Sequence, residues 1–203
     1  MLDRQARDPT TYDIELISRT AEGDRRAFAE LVERHAAAVL RLATAVTGSS
    51  AAAEDALQQA FLSAYRNASS FRGDASVRTW LLTIARHAAH RLRVENRRQE
   101  LVEENLVRLG VEAGWGSDDP EAIAIAAEQR VALQTAMSGL SGEDQEVLVL
   151  RDLEGLRGAE AAEVLGISER ALKSRLHRAR LRLAAALRQQ AGVPIAAGDG
   201  DPE

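Results

Sequence analysis

Residues 158–180 read GAEAAEVLGISERALKSRLHRAR. Two helical runs meet here at a turn. The first, Ala159 to Leu165, is short; the second follows Gly166-Ile167-Ser168 and is long and basic. Helices that cross in a helix-turn-helix need a small residue at the crossing and a residue tolerant of positive φ in the turn. Ala162 and Gly166 stand at those two places. Ser168 sits where a side chain would cap the second helix. Leu172, Leu176, Ala179 and Leu183 recur at spacings of 4, 3 and 4, which makes one apolar stripe. The other face then displays Arg170, Lys173, Ser174, Arg175, His177 and Arg178. Such a face fits a major groove, with its first residues at base edges and its later arginines at phosphates. A helical hairpin with a solvated basic face is the competing account. The joint Ala, Gly and Leu spacing, together with a local charge of +6 over residues 168–190, favours DNA binding.

The rest of the 203-residue chain carries a net charge of −5 that is distributed in blocks. Residues 66–98 hold eight Arg against Asp74 and Glu95, again +6. Residues 100–130 hold eight acids against Arg108 and Arg130, or −6. Two basic segments are thus separated by an acidic one. Helical periodicity is strong in the first half. Phe28, Leu31, Val32, His35, Val39, Leu42, Ala43 and Val46 define one face, ending near Gly48. Ser49 or Ser50 caps a second helix with Leu57, Phe61, Ala64, Tyr65 and Ala68 inward. A loop from Asn67 to Asp74 leads to a third helix with Val77, Trp80, Leu81, Ile84, Ala85, Ala88 and Leu92 inward. Periodicity lapses over about 99–119, where Gly and Asp mark a linker, and resumes at Asp119-Pro120-Glu121. Ser141-Gly-Glu-Asp144 resembles a capping box opening the wholly apolar Val147–Leu150, which reads as buried.

The expected fold is all-α: two small helical domains joined by a flexible acidic linker. The boundaries are 10–97, a linker over 98–119, 120–191, and a disordered tail over 192–203. Residues 1–15 receive no reading beyond flexibility. With no Cys, the chain has no disulfide, thiolate metal site or thiol nucleophile. The four His are scattered, and neither a metal nor a cofactor is expected. The longest charge-free stretches, 42–53 and 131–142, have 12 residues, short of the ~18–20 that span a bilayer. No membrane insertion is expected, and the expected compartment is the cytoplasm.

The loop Phe71-Arg-Gly-Asp-Ala-Ser76, with Arg78 and Trp80 just beyond, carries the second signal. Arginine and aromatic groups beside a flexible loop suit single-stranded nucleic acid, which is bound by stacking and backbone charge. The following helix places Arg86, His87, His90, Arg91 and Arg93 on its outer side. Trp80 falls on the apolar stripe and reads as core. For His87 and His90 the plain account is a solvated surface.

These blocks together resemble bacterial sigma factors of the extracytoplasmic-function group, in the sigma-70 superfamily. The matching stretches are AEDALQQAFLSAY (53–65), FRGD (71–74), TWL (79–81), and GIS…LKSRLHRAR (166–180), in the family's order. The resemblance covers about 25–98 and 130–190. It implies a transcription initiation factor with no catalysis of its own. The first domain would be sigma region 2. Its helix holding Asp55, Gln58, Gln59 and Leu62 would bind the β′ clamp helices of RNA polymerase core. It would also open the −10 element and hold an extruded base, through Phe71, Arg72, Gly73, Asp74, Ser76, Arg78, Arg86, His87, His90 and Arg91. The second domain would be region 4, near the β flap, reading the −35 duplex through Arg170, Lys173, Ser174, Arg175, His177 and Arg178. An anti-sigma protein is an implied inhibitory partner. The chain departs from the family wording at Gln59, usually Glu, and at His87 and His90, usually Asn and Asp. It departs again at Arg157-Gly158, usually Ser-Tyr.

Two other classes are weighed. A stand-alone helix-turn-helix regulator would carry a sensor pocket in its first domain, whereas the +6 block with Phe71 and Arg72 favours a single-strand surface. An enzyme would need a phosphate loop, a nucleophile elbow or a motif-bearing acid pair, and the sequence has none.

Overall fold

The computed structural model describes residues 9–100 and 120–190. Eight α-helices occur among them: α1 (Pro9–Ala21), α2 (Arg25–Thr47), α3 (Ser50–Arg66), α4 (Val77–Glu100), α5 (Pro120–Ser138), α6 (Gly142–Leu148), α7 (Gly158–Leu165) and α8 (Glu169–Gln190). A 3₁₀ turn (Ala68–Ser70) follows α3, and a π-helical turn (Val149–Leu153) continues α6. No strand occurs among the described residues, as the all-α reading expects. The expected linker begins late, because residues 98–100 still belong to α4. Residues 101–119 and the tail over 192–203 lie outside the described residues.

Local chemistry sets the ends of the helices. Asp24 Oδ1 accepts from the amides of Arg26 and Ala27 at 2.8 and 3.2 Å, capping α2. That helix stops at Gly48, whose φ of 71° and amide bond to the Thr44 carbonyl form a left-handed cap. Ser49 then caps α3 through the Ala52 amide, and Ser141 caps α6 through the Asp144 amide.

Helices α2, α3 and α4 pack on one another, and α6 and α7 lie against α2 and α4. Helix α8 crosses α6 and α7 and is backed by α5. One apolar cluster runs through all of this, from Leu16, Leu31, Leu42 and Leu82 to Leu150, Val164 and Leu172. The N-terminal and C-terminal halves therefore share a packed interior. Val147 to Leu150 are at most 3% exposed, in agreement with their unbroken apolar run. The core is built of aliphatic side chains and many alanines. Alanine lets helices approach closely, so small contacts accumulate where few aromatics are available.

Helix α1 corrects the reading of residues 1–15, because 9–15 are helical. It packs on α2 and on the 3₁₀ turn that leads into the 71–76 loop. Leu16 and Ile17 are buried. Asp13, also buried, receives Arg34 Nε at 2.7 Å and lies 2.9 Å from His35 Nε2. Burial alone would raise the Asp13 carboxyl. The hydrogen bonds and charges of His35 and then Arg34 outweigh it and hold the pKa below its ordinary 3.8. A carboxyl lowered by folding stabilises above its unfolded pKa and loses that contribution as pH falls through the folded value. The stability gap between wild type and Asp13→Asn, read from urea midpoints, should therefore hold steady above about pH 5 and narrow on acidification below it.

Candidate nucleic-acid interface

The turn between α7 and α8 has the geometry that the sequence requires. Gly166 adopts φ 65°, ψ 35°, a region a side chain resists. Its amide bonds back to α7, and the Ile167 amide reaches the Ala162 carbonyl at 3.0 Å. Ala162 is 4% exposed where the two helices cross. Arg157 N–H donates to the Glu160 carboxylate at 2.8 Å, which steadies the start of α7. Ser168 Oγ accepts from the Ala171 amide at 3.2 Å and caps α8.

Leu172, Leu176 and Ala179 are buried beneath α8. Arg170, Lys173, Ser174, His177 and Arg178 are exposed on its other side, and none of the four basic ones is in an ion pair among the described residues. Arg175 departs from this face. It is half-buried and paired with Glu143 at 3.2 Å. Further along, Arg180 pairs with Asp152 at 2.5 Å and Arg182 with Asp144 at 2.6 Å. Acids of α6 and the π turn thus hold the edges of α8 and leave its first turns open.

The α3 residues Asp55, Gln58, Gln59 and Leu62 are all exposed, Leu62 at 50%. Gln58 and Leu62 border a depression of about 470 Å³ floored by Phe28, Phe61 and Tyr65. Phe28 packs against Tyr65 at 4.9 Å and Phe61 at 6.2 Å between ring centroids. The sequence reading placed Phe28 and Tyr65 on inward faces. The structure shows them half-buried and lining this surface.

The loop residues Arg72, Gly73 and Asp74 are exposed. Phe71 is half-buried, its ring 5.5 Å from Trp80 in an edge-on arrangement, so Trp80 is a half-buried support for the loop rather than wholly core. Ser76 spends its hydroxyl locally: Oγ lies 2.8 Å from Thr79 Oγ1 and accepts the Thr79 amide at 3.1 Å. It serves as the cap of α4.

On α4 the expectation of a uniformly outward basic face is corrected. His87 and Arg91 are exposed, but Arg78, Arg86 and His90 turn toward the C-terminal half. Arg86 Nε donates to Glu146 Oε2 at 2.5 Å. His90 Nε2 lies 3.2 Å from Glu146 Oε1 without hydrogen-bond geometry. Arg78 pairs with the Glu154 carboxylate and also donates to the Glu154 carbonyl at 2.9 Å. Arg41 of α2 takes the other Glu154 oxygen at 2.5 Å. The side chains of Glu146 and Glu154 are only 2% and 1% exposed. Sequence reasoning missed both acids and Arg41. The available signal was two acids beside an apolar run, since buried carboxylates require cationic partners.

Family models for sigma-70 region 2 and sigma-70 region 4 match residues 31–99 and 130–183. The ECF RNA polymerase sigma factor SigM of Mycobacterium tuberculosis is 38% identical over 173 residues, 85% of this chain and 83% of that protein. RNA polymerase sigma factor CnrH of Cupriavidus metallidurans is 32% identical over 184 residues, 89% of this chain and 96% of that protein. CnrH, solved in complex with the cytosolic domain of CnrY, superposes with a TM-score of 0.61 at 27% identity, covering 88% of this chain and 98% of that one. The sigma factor RpoE of Bartonella quintana, solved with the anti-sigma factor NepR, gives 0.62 at 25%, covering 79% and 96%.

Burial lowers the His90 pKa below 6.5, and the charges of Arg86 and Arg93 add to this against the opposing pull of Glu146. Folding therefore favours neutral His90, and the contribution of this group to stability declines as pH falls below 6.5. The NMR titration midpoint of the His90 ring should lie below that value. A midpoint at or above it would mean that Glu146 outweighs burial.

Proposed function

The chain belongs to the sigma-70 family, in its extracytoplasmic-function group of RNA polymerase sigma factors, and from that premise we propose how its surfaces divide the work. It is a transcription initiation factor that binds RNA polymerase and directs it to promoters. Residues 10–100 act as region 2 and residues 120–191 as region 4, with 101–119 as their connection. The exposed α3 face of Asp55, Gln58, Gln59 and Leu62 docks on the β′ clamp helices. Its apolar depression accepts a partner side chain, and the polar rim sets orientation.

Region 4 lies near the β flap and reads the −35 element as duplex. The observation that carries this is the α8 face, where Arg170, Lys173, Ser174, His177 and Arg178 stand exposed on a helix fixed by a buried stripe. Reading base edges needs donors held rigidly at groove depth, and a capped helix on a packed core supplies them. Arg175 is the weakest member of the set, because Glu143 holds it. The 71–76 loop takes the −10 element. Melting costs unstacking, which is offset by capture of a flipped base beside Phe71 and by backbone contacts from Arg72 and Arg91. Arg78, Arg86, His87 and His90 belong to the same face once the C-terminal half moves away. Linking two weak readers raises affinity through effective concentration, and polymerase fixes their spacing.

No reaction of its own enters this scheme, and it works in the cytoplasm, where polymerase acts. Among the described residues no helix is long and apolar enough to cross a membrane. The solved relatives CnrH and RpoE are bound to CnrY and NepR, which supports an inhibitory anti-sigma protein as a partner here too. Without Cys, the chain leaves any thiol-based sensing to that partner.

The two surfaces separate by mutation. Lys173→Ala and Arg178→Ala should each weaken promoter-specific duplex binding by about tenfold or more while core polymerase still co-purifies. Asp55→Ala with Gln58→Ala should weaken core binding and spare the duplex contacts. Equal loss of core binding in both sets would contradict the assignment. Transcription by core polymerase on fragmented genomic DNA, with RNA 5′ ends mapped, should yield new starts that share two upstream boxes at fixed spacing.

A further inference from the structure

The compact chain covers part of its −10 face with its own carboxylates, and the manner of covering identifies a site. Arg41 comes from α2 and Arg78 from α4, and each takes one oxygen of the Glu154 carboxylate. Two guanidinium groups from different helices thus converge on two oxygens of one anionic group. The two non-bridging oxygens of a backbone phosphate present the same pattern to arginine. Beside this pair opens a cavity of about 740 Å³, also lined by Arg34, Ser76 and Arg157 and by the acids Asp13 and Glu160. It adjoins the start of α4, where the 71–76 loop ends. A second carboxylate, Glu146, holds Arg86 two turns further along α4. By contrast, the α3 face is exposed in this same form.

We propose that Arg41 and Arg78 form a phosphate site of the N-terminal half, that Glu154 fills it in the compact chain, and that Glu146 masks Arg86 in the same way, so that the promoter strand and the C-terminal half compete for one set of cations. This rests on the reading that the 71–76 loop and α4 take the −10 strand. It adds Arg41 to that surface and gives Glu146 and Glu154 a role as stand-ins for phosphate. Because α3 stays open, polymerase can engage the compact chain, and release of the two acids then uncovers the strand-binding face. Free protein would bind DNA poorly for the same reason.

The absence of native cysteine allows a clean test on the full chain. Cysteines at the exposed positions Glu33 and Glu163, as E33C and E163C, carry a donor and an acceptor dye across the two halves. A fluorescein-labelled oligothymidylate, titrated separately with unlabelled protein, reports strand binding. Glu146→Gln with Glu154→Gln should lower energy transfer and raise strand affinity about tenfold or more. In that background Arg41→Ala should weaken binding several-fold and flatten the salt dependence by about 0.7 in log–log slope, the loss of one single-strand phosphate contact. In the chain with its acids intact, saturating unlabelled oligothymidylate should itself lower energy transfer, since competition is reciprocal. That arm needs no acid variant and stands if the double variant fails to fold by circular dichroism.

Unchanged transfer on strand binding, or in a folded double variant, would overturn the proposal. So would lowered transfer with unchanged affinity. If Arg41→Ala has no effect while Arg72→Ala and Arg91→Ala weaken binding, the phosphate site is wrong and the −10 reading stands. If Arg72→Ala and Arg91→Ala are also silent, the −10 reading itself fails.

Discussion

Glu146 and Glu154 bring two negative charges into the interior between the halves, and much of the compact arrangement is a consequence of satisfying them. A carboxylate almost cut off from water loses its hydration and must regain it from fixed donors. Each acid finds a cation on α4, and Glu154 finds a second on α2. Those cations are themselves only partly covered: the Arg86 side chain is 19% exposed, Arg78 37% and Arg41 49%. Solvent screens the arginine side more than the acid side. Such pairs give registry between surfaces more than they give net stability, since the desolvation cost offsets much of the attraction. The apolar cluster beneath supplies the adhesion, and the acids decide which faces meet.

That registry sorts the functional surfaces of the chain. Helix α3 presents its polar and apolar face outward, and α8 presents its basic first turns outward. Helix α4 divides. His87 and Arg91 face solvent, while Arg78, Arg86 and His90 face the other half. Helix α1 adds a further tie, through Asp13 on Arg34 and His35, on the side next to the 3₁₀ turn that enters the 71–76 loop.

Much of this was legible in the chain. The positions of Gly48, Ser49, Ser141, Gly166 and Ser168 follow from local backbone chemistry, which depends on neighbours a few residues away, and the caps stand where those residues predict. The buried stripes of α2, α4 and α8 follow from periodicity. The seam was not legible, because an ion pair such as Arg41 with Glu154 joins residues more than a hundred positions apart, and no local pattern records it. Arg86 and His90 read as solvated for the same reason. Helix α1 leaves a weak signal in the sequence, because its buried apolar residues, Leu16 and Ile17, are few, and its anchoring residue, Asp13, is polar. Ser76 reads as a nucleic-acid contact, and the part its hydroxyl plays as the cap of α4 is visible only through the Thr79 amide.

The account depends on the two halves being coupled through these charges in the free protein. A double-mutant cycle on Arg86→Met and Glu146→Gln, followed by urea unfolding of the full chain, measures that coupling directly. The account predicts a favourable interaction energy of about 1 kcal/mol or more between the two positions. Additive effects, with no interaction energy, would mean that Glu146 does not hold α4 and that the halves are not joined in this way.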